Sequence, residues 1–478
     1  MSTETQPGSP HPSSAATADA IAATRKNNTR GKVLTASMVG TTIEFFDFYA
    51  YATASSLVFP ALFFPNQTST TQLLSSFAIF GVAFVARPLG SIIFGHFGDR
   101  IGRKKTLIAS LLIMGIGTFL IGLLPTASTP GWVVLAPLCL VLLRFCQGVG
   151  LGGEWSGAAL LATENAPKGK RAIWGTFPQL GAPVGFIIAN LLFVGLSEWT
   201  SPEAFLAWGW RIPFLLSALL VAVGLYVRLS LMETPAFQLV AQKQQISKAP
   251  IGRVFASSWK PLILGTFIML ATYVIFYFMT AFTLTYGTAP ASPEQAQTAA
   301  EAAGKTFDPT GLVAGLGYSK SEFLTYLIIG VVFFGIFTVV SGPLAEKLGR
   351  RKMLLGVTVL IAAYGLIVNA LFNAGTAGVI IALIVGFILM GLTFGPMAAY
   401  LPELFPANVR YTGSAVSYNM SSVIGAGPAP FAMVALWQAE GGTIFYCGLY
   451  IIGAAILTLV ALCLAKDTSA LDMEDQLS

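Results

Sequence analysis

Long apolar runs separated by short polar ones dominate the chain. Stretches of ~20 or more residues, enough to cross ~30 Å of hydrocarbon as helices, lie near 33–60, 72–98, 106–125, 132–163, 171–197 and 208–230. Six more follow near 260–286, 320–345, 353–373, 377–404, 410–436 and 443–465. The pattern predicts an all-α polytopic membrane protein with 12 transmembrane helices in two six-helix bundles, residues 33–230 and 260–465. Residues 1–32, rich in Ser, Thr, Ala and Pro, read as a disordered cytoplasmic tail. Residues 231–259, with Pro235, Lys243, Lys248, Pro250 and Arg253, read as a cytoplasmic connector, and 466–478 as a second cytoplasmic tail.

The two halves repeat each other. Gly95-His96-Phe97-Gly98-Asp99-Arg100-Ile101-Gly102-Arg103-Lys104-Lys105, between the second and third runs, returns between the eighth and ninth as Gly342-Pro343-Leu344-Ala345-Glu346-Lys347-Leu348-Gly349-Arg350-Arg351-Lys352. Glu164, Pro167 and Arg171 recur with the same spacing as Glu403, Pro406 and Arg410. Two echoes in register mark a tandem repeat of one supersecondary plan. Asp99, Arg100, Arg103, Glu164, Arg171, Glu346, Arg350, Glu403 and Arg410 all fall at span ends, which makes them candidates for gating.

Composition narrows the class. With 55% hydrophobic and 10% charged residues and a mean hydropathy of +0.73, the chain lies far from soluble domains, where charged residues make up ~25%. A net charge of +6 does not point to nucleic acid, because the bases cluster beside apolar spans, where they set topology. With both termini in the cytoplasm, all of the 27 Lys and Arg except Lys305, Lys320, Arg211, Arg87 and Arg144 fall on that side, as the positive-inside rule requires. Residues 287–319 are then an external loop. Cys139, Cys146, Cys447 and Cys463 have no ligand spacing, and His11 and His96 are the only histidines. No metal, cofactor, disulfide or enzymatic constellation is expected.

Charges inside the spans carry the candidate chemistry. Glu44, Asp47, Arg87, Arg144 and Glu154 each cost ~2.5–3.5 kcal/mol on insertion scales unless paired or wetted. Glu44, Asp47 and Tyr51 share a helical face. Asp47 lies ~21 Å into its helix, with Arg87 at ~22 Å and Arg144 at ~18 Å, all near the midplane. Substrate contacts are expected from Tyr51, Arg87, Arg144 and Gln147 in the first half and from Tyr273 and Tyr277 in the second, with Tyr326, Tyr400, Tyr418 and Asn419 shaping the far wall. Packing and static ion pairing are the alternative roles for these residues. Glu154, ~15 Å beyond Arg144 and apart from the midplane arginines, is the first expectation for proton coupling, followed by Asp47 and Glu44. Low dielectric favours a protonated carboxyl and a nearby arginine opposes it. An anionic substrate engaging Arg144 would therefore release its carboxylate partner to take a proton. Gly148, Gly150, Gly152 and Gly153 in the fourth span, and Gly181, Pro183 and Gly185 in the fifth, read either as close helix packing or as bending points.

The basic loops resemble the signature between helices 2 and 3, and 8 and 9, of the major facilitator superfamily of secondary transporters, over roughly residues 33–465. Four further stretches are similar to the metabolite:proton symporter family: Ile43-Glu44-Phe45-Phe46-Asp47-Phe48-Tyr49; Arg87-Pro88-Leu89-Gly90; Arg144-Phe145-Cys146-Gln147-Gly148 with Gly152-Gly153-Glu154; and Trp208-Gly209-Trp210-Arg211-Ile212-Pro213-Phe214. Glu154 matches that family's acidic residue in span 4. In the wider superfamily, the acid at the position of Asp99 is implicated in holding the inner side closed. The resemblance implies a monomeric carrier in the plasma (inner) membrane that imports a small polar metabolite with protons. An organic acid such as shikimate or a di- or tricarboxylate comes first. A proline/betaine importer is the alternative, as is an exporter by proton antiport, whose signature Gly181-Ala182-Pro183-Val184-Gly185 partly resembles.

Overall fold

The computed structural model describes residues 29–67, 69–230, 250–302 and 313–468. Most of both expected tails and of the connector lies outside the described residues, as does part of the expected external loop. The described chain is helical throughout its spans: α1 (Arg30–Leu57), α2 (Ser69–Ile101), α3 (Arg103–Leu123), α4 (Leu135–Glu164), α5 (Arg171–Trp199), α6 (Ile212–Leu229), α7 (Trp259–Thr288), α8 (Lys320–Leu348), α9 (Arg350–Phe372), α10 (Gly375–Glu403), α11 (Arg410–Ala439) and α12 (Phe445–Leu464). Eleven of these are apolar enough along their length to cross a membrane, and α1 has 28 residues, against the ~20 that a span needs. This is the expected 12-helix arrangement. Large apolar side chains such as Ile116, Leu142, Ile336, Leu360 and Val460 stand exposed on the outside of the bundle, a surface suited to lipid rather than water.

The second glycine of each basic loop has a conformational reason. Gly102 has φ 109° and Gly349 has φ 87°, in the left-handed region that glycine enters without steric cost. One residue thus separates α2 from α3 and α8 from α9, and holds each basic run at the end of the bundle. That end is called the basic end below.

Glycines within the spans serve close packing. A Cβ on Gly148 would stand 2.6 Å from the Ala83 carbonyl oxygen, and one on Gly152 would strike the Arg87 carbonyl, so α2 and α4 touch along their backbones. Gly185 is likewise pressed on α1, where a Cβ would lie 2.7 Å from the Phe46 nitrogen. Three spans are interrupted. α5 breaks at Leu180, just after Pro178, whereas α7 and α11 each contain a π-helical turn, Phe278–Phe282 and Ser422–Ala426. Such turns widen the helix locally and leave its hydrogen-bond ladder out of register.

The described end of the connector is more than a polar strap. Pro250–Ser257 forms a helix whose Val254 is buried with Phe405, Val409 and Val416 beside the start of α11. In the loop between α7 and α8, Pro293–Ala302 is helical, and the described chain beyond it folds back, with Leu316 N donating to the Tyr286 carbonyl at 3.0 Å.

Candidate functional site

A buried polar chain runs through the first half. The Arg144 Nη1 donates to Gln147 Oε1 at 3.2 Å, Gln147 Nε2 donates to Thr118 Oγ1 at 2.6 Å, and Thr118 Oγ1 donates to Asp47 Oδ2 at 2.7 Å. Ser217 Oγ donates to the same oxygen at 3.2 Å. Three expected residues, Asp47, Arg144 and Gln147, are thus joined through Thr118, with Ser217 as a second donor to Asp47, neither of which the sequence singled out. The Arg144 guanidinium lies 4.1 Å from the centre of the Tyr51 ring and 5.1 Å from that of Phe80, a cation–π arrangement in a desolvated setting. Neither Arg144 nor Tyr51 lines the space between the halves.

That space is a small cavity lined by Phe45, Phe48, Arg87, Met269, Thr272, Tyr273, Phe276, Tyr277, Phe394 and Tyr418. Of the first-half residues expected to meet substrate, Arg87 is in its wall, and Tyr273 and Tyr277 face it from α7. Arg87 sits 5.1 Å from the Phe84 ring centre and 5.4 Å from that of Phe48, and its Nε has no hydrogen-bond partner. Tyr326 instead bonds Glu322 at the start of α8, and Tyr400 bonds the Lys466 carbonyl near the basic end, so neither shapes this wall.

Glu154, expected to stand apart from the midplane arginines Arg87 and Arg144, meets a third arginine that the expectation left out. Arg228 reaches in from α6 and forms a buried ion pair with both Glu154 oxygens, joined by Ser110 Oγ at 2.9 Å. Along the sequence, Arg228 sits at the end of an apolar run beside the connector, so it reads as a topology-setting base. A Cβ on Gly40 would collide with its guanidinium; the missing side chain on α1 makes room for it. Glu44 is the contrasting acid. It is 3% exposed, its Oε2 has no hydrogen-bond partner, and no ion pair is found for it among the described residues.

Between the cavity and the basic end the halves are closed. Trp155 of α4 stacks on Tyr418 of α11 with centroids 3.9 Å apart. Gln179 bridges the Trp155 Nε1 at 2.7 Å and the Phe394 carbonyl at 2.6 Å, while Asn419 Nδ2 donates to the Gly152 carbonyl at 2.8 Å. Below this layer, each repeated acid reaches the first turn of a helix in the other half. Asp99 accepts from Thr412 N at 3.0 Å, Thr412 Oγ1 at 2.8 Å and Tyr411 N at 3.4 Å. Glu346 accepts from Ala172 N at 2.6 Å. Free N–H groups and the dipole at a helix start favour an anion there.

Two ion clusters brace these contacts. Arg103 pairs with Asp99 at 3.4 Å and Glu164 at 3.5 Å, and Arg410 lies 3.8 Å from Glu164. On the other side Arg350 pairs with Glu346 at 3.3 Å and Glu403 at 3.1 Å, with Arg171 3.9 Å from Glu403. Eight of the nine expected gating residues therefore meet in two related groups. Arg100 does not join them: it is exposed, 3.2 Å from His96 Nε2.

Residues 32–261 and 306–476 match the family described as "Sugar (and other) transporter". The chain is 51% identical over 443 residues to the inner membrane metabolite transport protein YhjE of Escherichia coli (strain K12), covering 92% of this chain and 95% of that protein. It is 33% identical to the shikimate transporter of the same strain, covering 90% and 93%. With the proline/betaine transporter of Salmonella typhimurium the identity is 31%, over 92% of this chain and 84% of that protein. In three dimensions it is similar to the proton:xylose symporter XylE bound to 6-bromo-6-deoxy-D-glucose, with a TM-score of 0.71 across 95% of this chain and 99% of that chain. At 15% identity, that is a likeness of fold.

Proposed function

The chain belongs to the major facilitator superfamily, as a membrane transporter and not an enzyme, and from that premise we propose that it imports a small polar organic acid together with protons. Arg87 is the observation that carries this reading. It is a buried cation in the wall of a cavity between two moving halves, without a hydrogen bond at Nε. A cation left unpaired in a membrane interior is costly, and a substrate carboxylate gripped by the guanidinium fork would offset that cost. The proton would travel on a first-half carboxyl, among Glu44, Asp47 and Glu154. Both termini would lie in the cytoplasm, the basic end being the inner one. The conformation described is then closed inside, and alternating access would require the two ion clusters to part.

A second reading has a specific observation behind it. Phe45, Phe48, Tyr273, Phe276, Tyr277, Phe394 and Tyr418 surround the cavity, and aromatic walls suit a quaternary ammonium. A zwitterion such as glycine betaine would place its carboxylate on Arg87 and its cation among the rings. Uptake of labelled shikimate and labelled glycine betaine into proteoliposomes tests both readings. An inward proton gradient should drive accumulation, and a protonophore should collapse it. Accumulation driven by a sodium gradient at fixed pH and voltage would remove the proton from the proposal, and net extrusion would reverse its direction.

A further inference from the structure

We propose that Arg87 is shared between the substrate and Glu44, binding one carboxylate in the cavity only while Glu44 is protonated, so that Glu44 is the proton-carrying group and the site takes a solute with a single carboxylate. This rests on the proton-coupled reading above and deepens it.

The three first-half acids differ in what holds them. Glu154 is gripped at both oxygens by Arg228 and also receives Ser110. Protonating it would break a buried pair and strand Arg228 without a counter-charge, which is costly. Asp47 has one oxygen occupied by the hydroxyls of Thr118 and Ser217 and the other bare, and the Thr118 hydroxyl is tied into the chain that ends at Arg144. Glu44 has no ion pair among the described residues, and its Oε2 has no hydrogen-bond partner.

The cations differ in the same way. Arg228 is paired with Glu154, and Arg144, bonded to Gln147 and stacked on the Tyr51 ring with its Nε and Nη2 unpartnered, is not in the cavity's lining. Arg87 lines the cavity and is held by the faces of Phe48 and Phe84. Glu44 lies one helical turn before Phe48, whose ring centre is 5.4 Å from the Arg87 guanidinium, and the charged groups in its surroundings are Glu154 from α4, Arg87 from α2 and Arg228 from α6, with the Tyr418 phenol of α11 also near. Of the two cations, Arg87 is the one still able to neutralise an ionised Glu44. Ionised Glu44 and a substrate carboxylate therefore compete for one guanidinium, and a proton on Glu44 removes the competitor. Proton and substrate then favour each other's binding, and by linkage the coupling is reciprocal. That is the thermodynamic core of symport, with one proton for each carboxylate.

The same wall sets selectivity. Beside Arg87, the lining is aromatic apart from Met269 and the Thr272 hydroxyl. A second or third carboxylate would be taken from water with no cation to meet it, which is costly. The broader expectation of a di- or tricarboxylate narrows accordingly.

Full-length protein in proteoliposomes, assayed for exchange and for proton-driven accumulation of labelled shikimate, glycine betaine, 2-oxoglutarate and citrate, decides the matter. One of the two single-carboxylate solutes should exchange, with apparent affinity falling roughly tenfold per pH unit once Glu44 ionises. Neither 2-oxoglutarate nor citrate should exchange. Glu44→Gln should lose both accumulation and the pH dependence of exchange, and Arg87→Ala should lose exchange altogether. Accumulation that survives in Glu44→Gln overturns the inference while leaving proton-coupled uptake standing, as does equal exchange of citrate or 2-oxoglutarate. If Glu44→Gln does not fold, the wild-type profile decides, and exchange independent of pH overturns the inference. Failure of all four solutes to exchange, or a sodium requirement, topples the underlying reading and this inference with it.

Discussion

The two halves share a helix order, yet they fill the middle of the membrane with different chemistry. In α1–α6, Glu44, Asp47, Arg87, Arg144, Glu154 and Arg228 are all buried. At the matching depth of α7–α12 stand Tyr273, Tyr277, Tyr418 and Asn419, with Thr272 and Thr393 bonded hydroxyl to hydroxyl at 2.9 Å. The half without charges in mid-membrane carries both π-helical turns, in α7 and α11, and the charged midsection has its one break at Leu180 of α5. A midsection that buries an ion pair cannot loosen without exposing a charge to low dielectric. A half held by rings and hydroxyls can shift register at smaller cost. The contrast places the mid-membrane acids in the first half and both π-helical turns in the second.

The sharpest test of that contrast is Arg228. Replacing it with Met leaves Glu154 as an unpaired buried carboxylate, a loss of ~3–5 kcal/mol, to be seen as a large fall in thermal unfolding temperature in detergent. Adding Glu154→Gln should recover most of that loss. A variant that melts like the wild type would show that the pair contributes nothing to holding the first half together.

The basic end offers the next comparison, since Asp99 accepts three hydrogen bonds across the seam and Glu346 accepts one. Hydrogen bonds to a charged group are worth ~1.5–3 kcal/mol, so Asp99→Asn should raise labelling of a cysteine placed in the inner cavity about tenfold or more. For Glu346→Gln the expected rise is only a few-fold, from about 1 kcal/mol. Equal effects would mean that the two acids hold the halves symmetrically. Smallest of all should be Arg100→Ala, an exposed change expected within about 0.5 kcal/mol and within roughly twofold in uptake rate. A larger loss would place Arg100 in a contact absent from this conformation.

Much of the gate could be read along the chain. Asp99, Arg103, Glu164 and Arg171 recur as Glu346, Arg350, Glu403 and Arg410, and the structure gathers all eight into two matching clusters. The repeat preserves spacing, and spacing along a helix sets depth. The substrate wall was harder to read. Arg87 and Arg144 lie at similar depths, but Arg87 lines the space between the halves and Arg144 does not. Thr118 and Ser217 looked like ordinary small polar residues until folding placed them on Asp47.

By itself, then, the sequence determined the number and depth of the spans, the internal repeat, the basic end and the presence of buried acids with arginines. These follow from one-dimensional quantities: hydrophobic run length, residue spacing and the rise of a helix. Only the tertiary structure decided which acid keeps which base. Glu154 and Arg228 meet because α4 and α6 come together with a glycine, Gly40, opposite them on α1, while Glu44 has no ion pair among the described residues. Rotation of a helix about its axis and its choice of neighbours arise from packing against other helices, and in a low-dielectric interior that rotation decides whether a charge is spent or available.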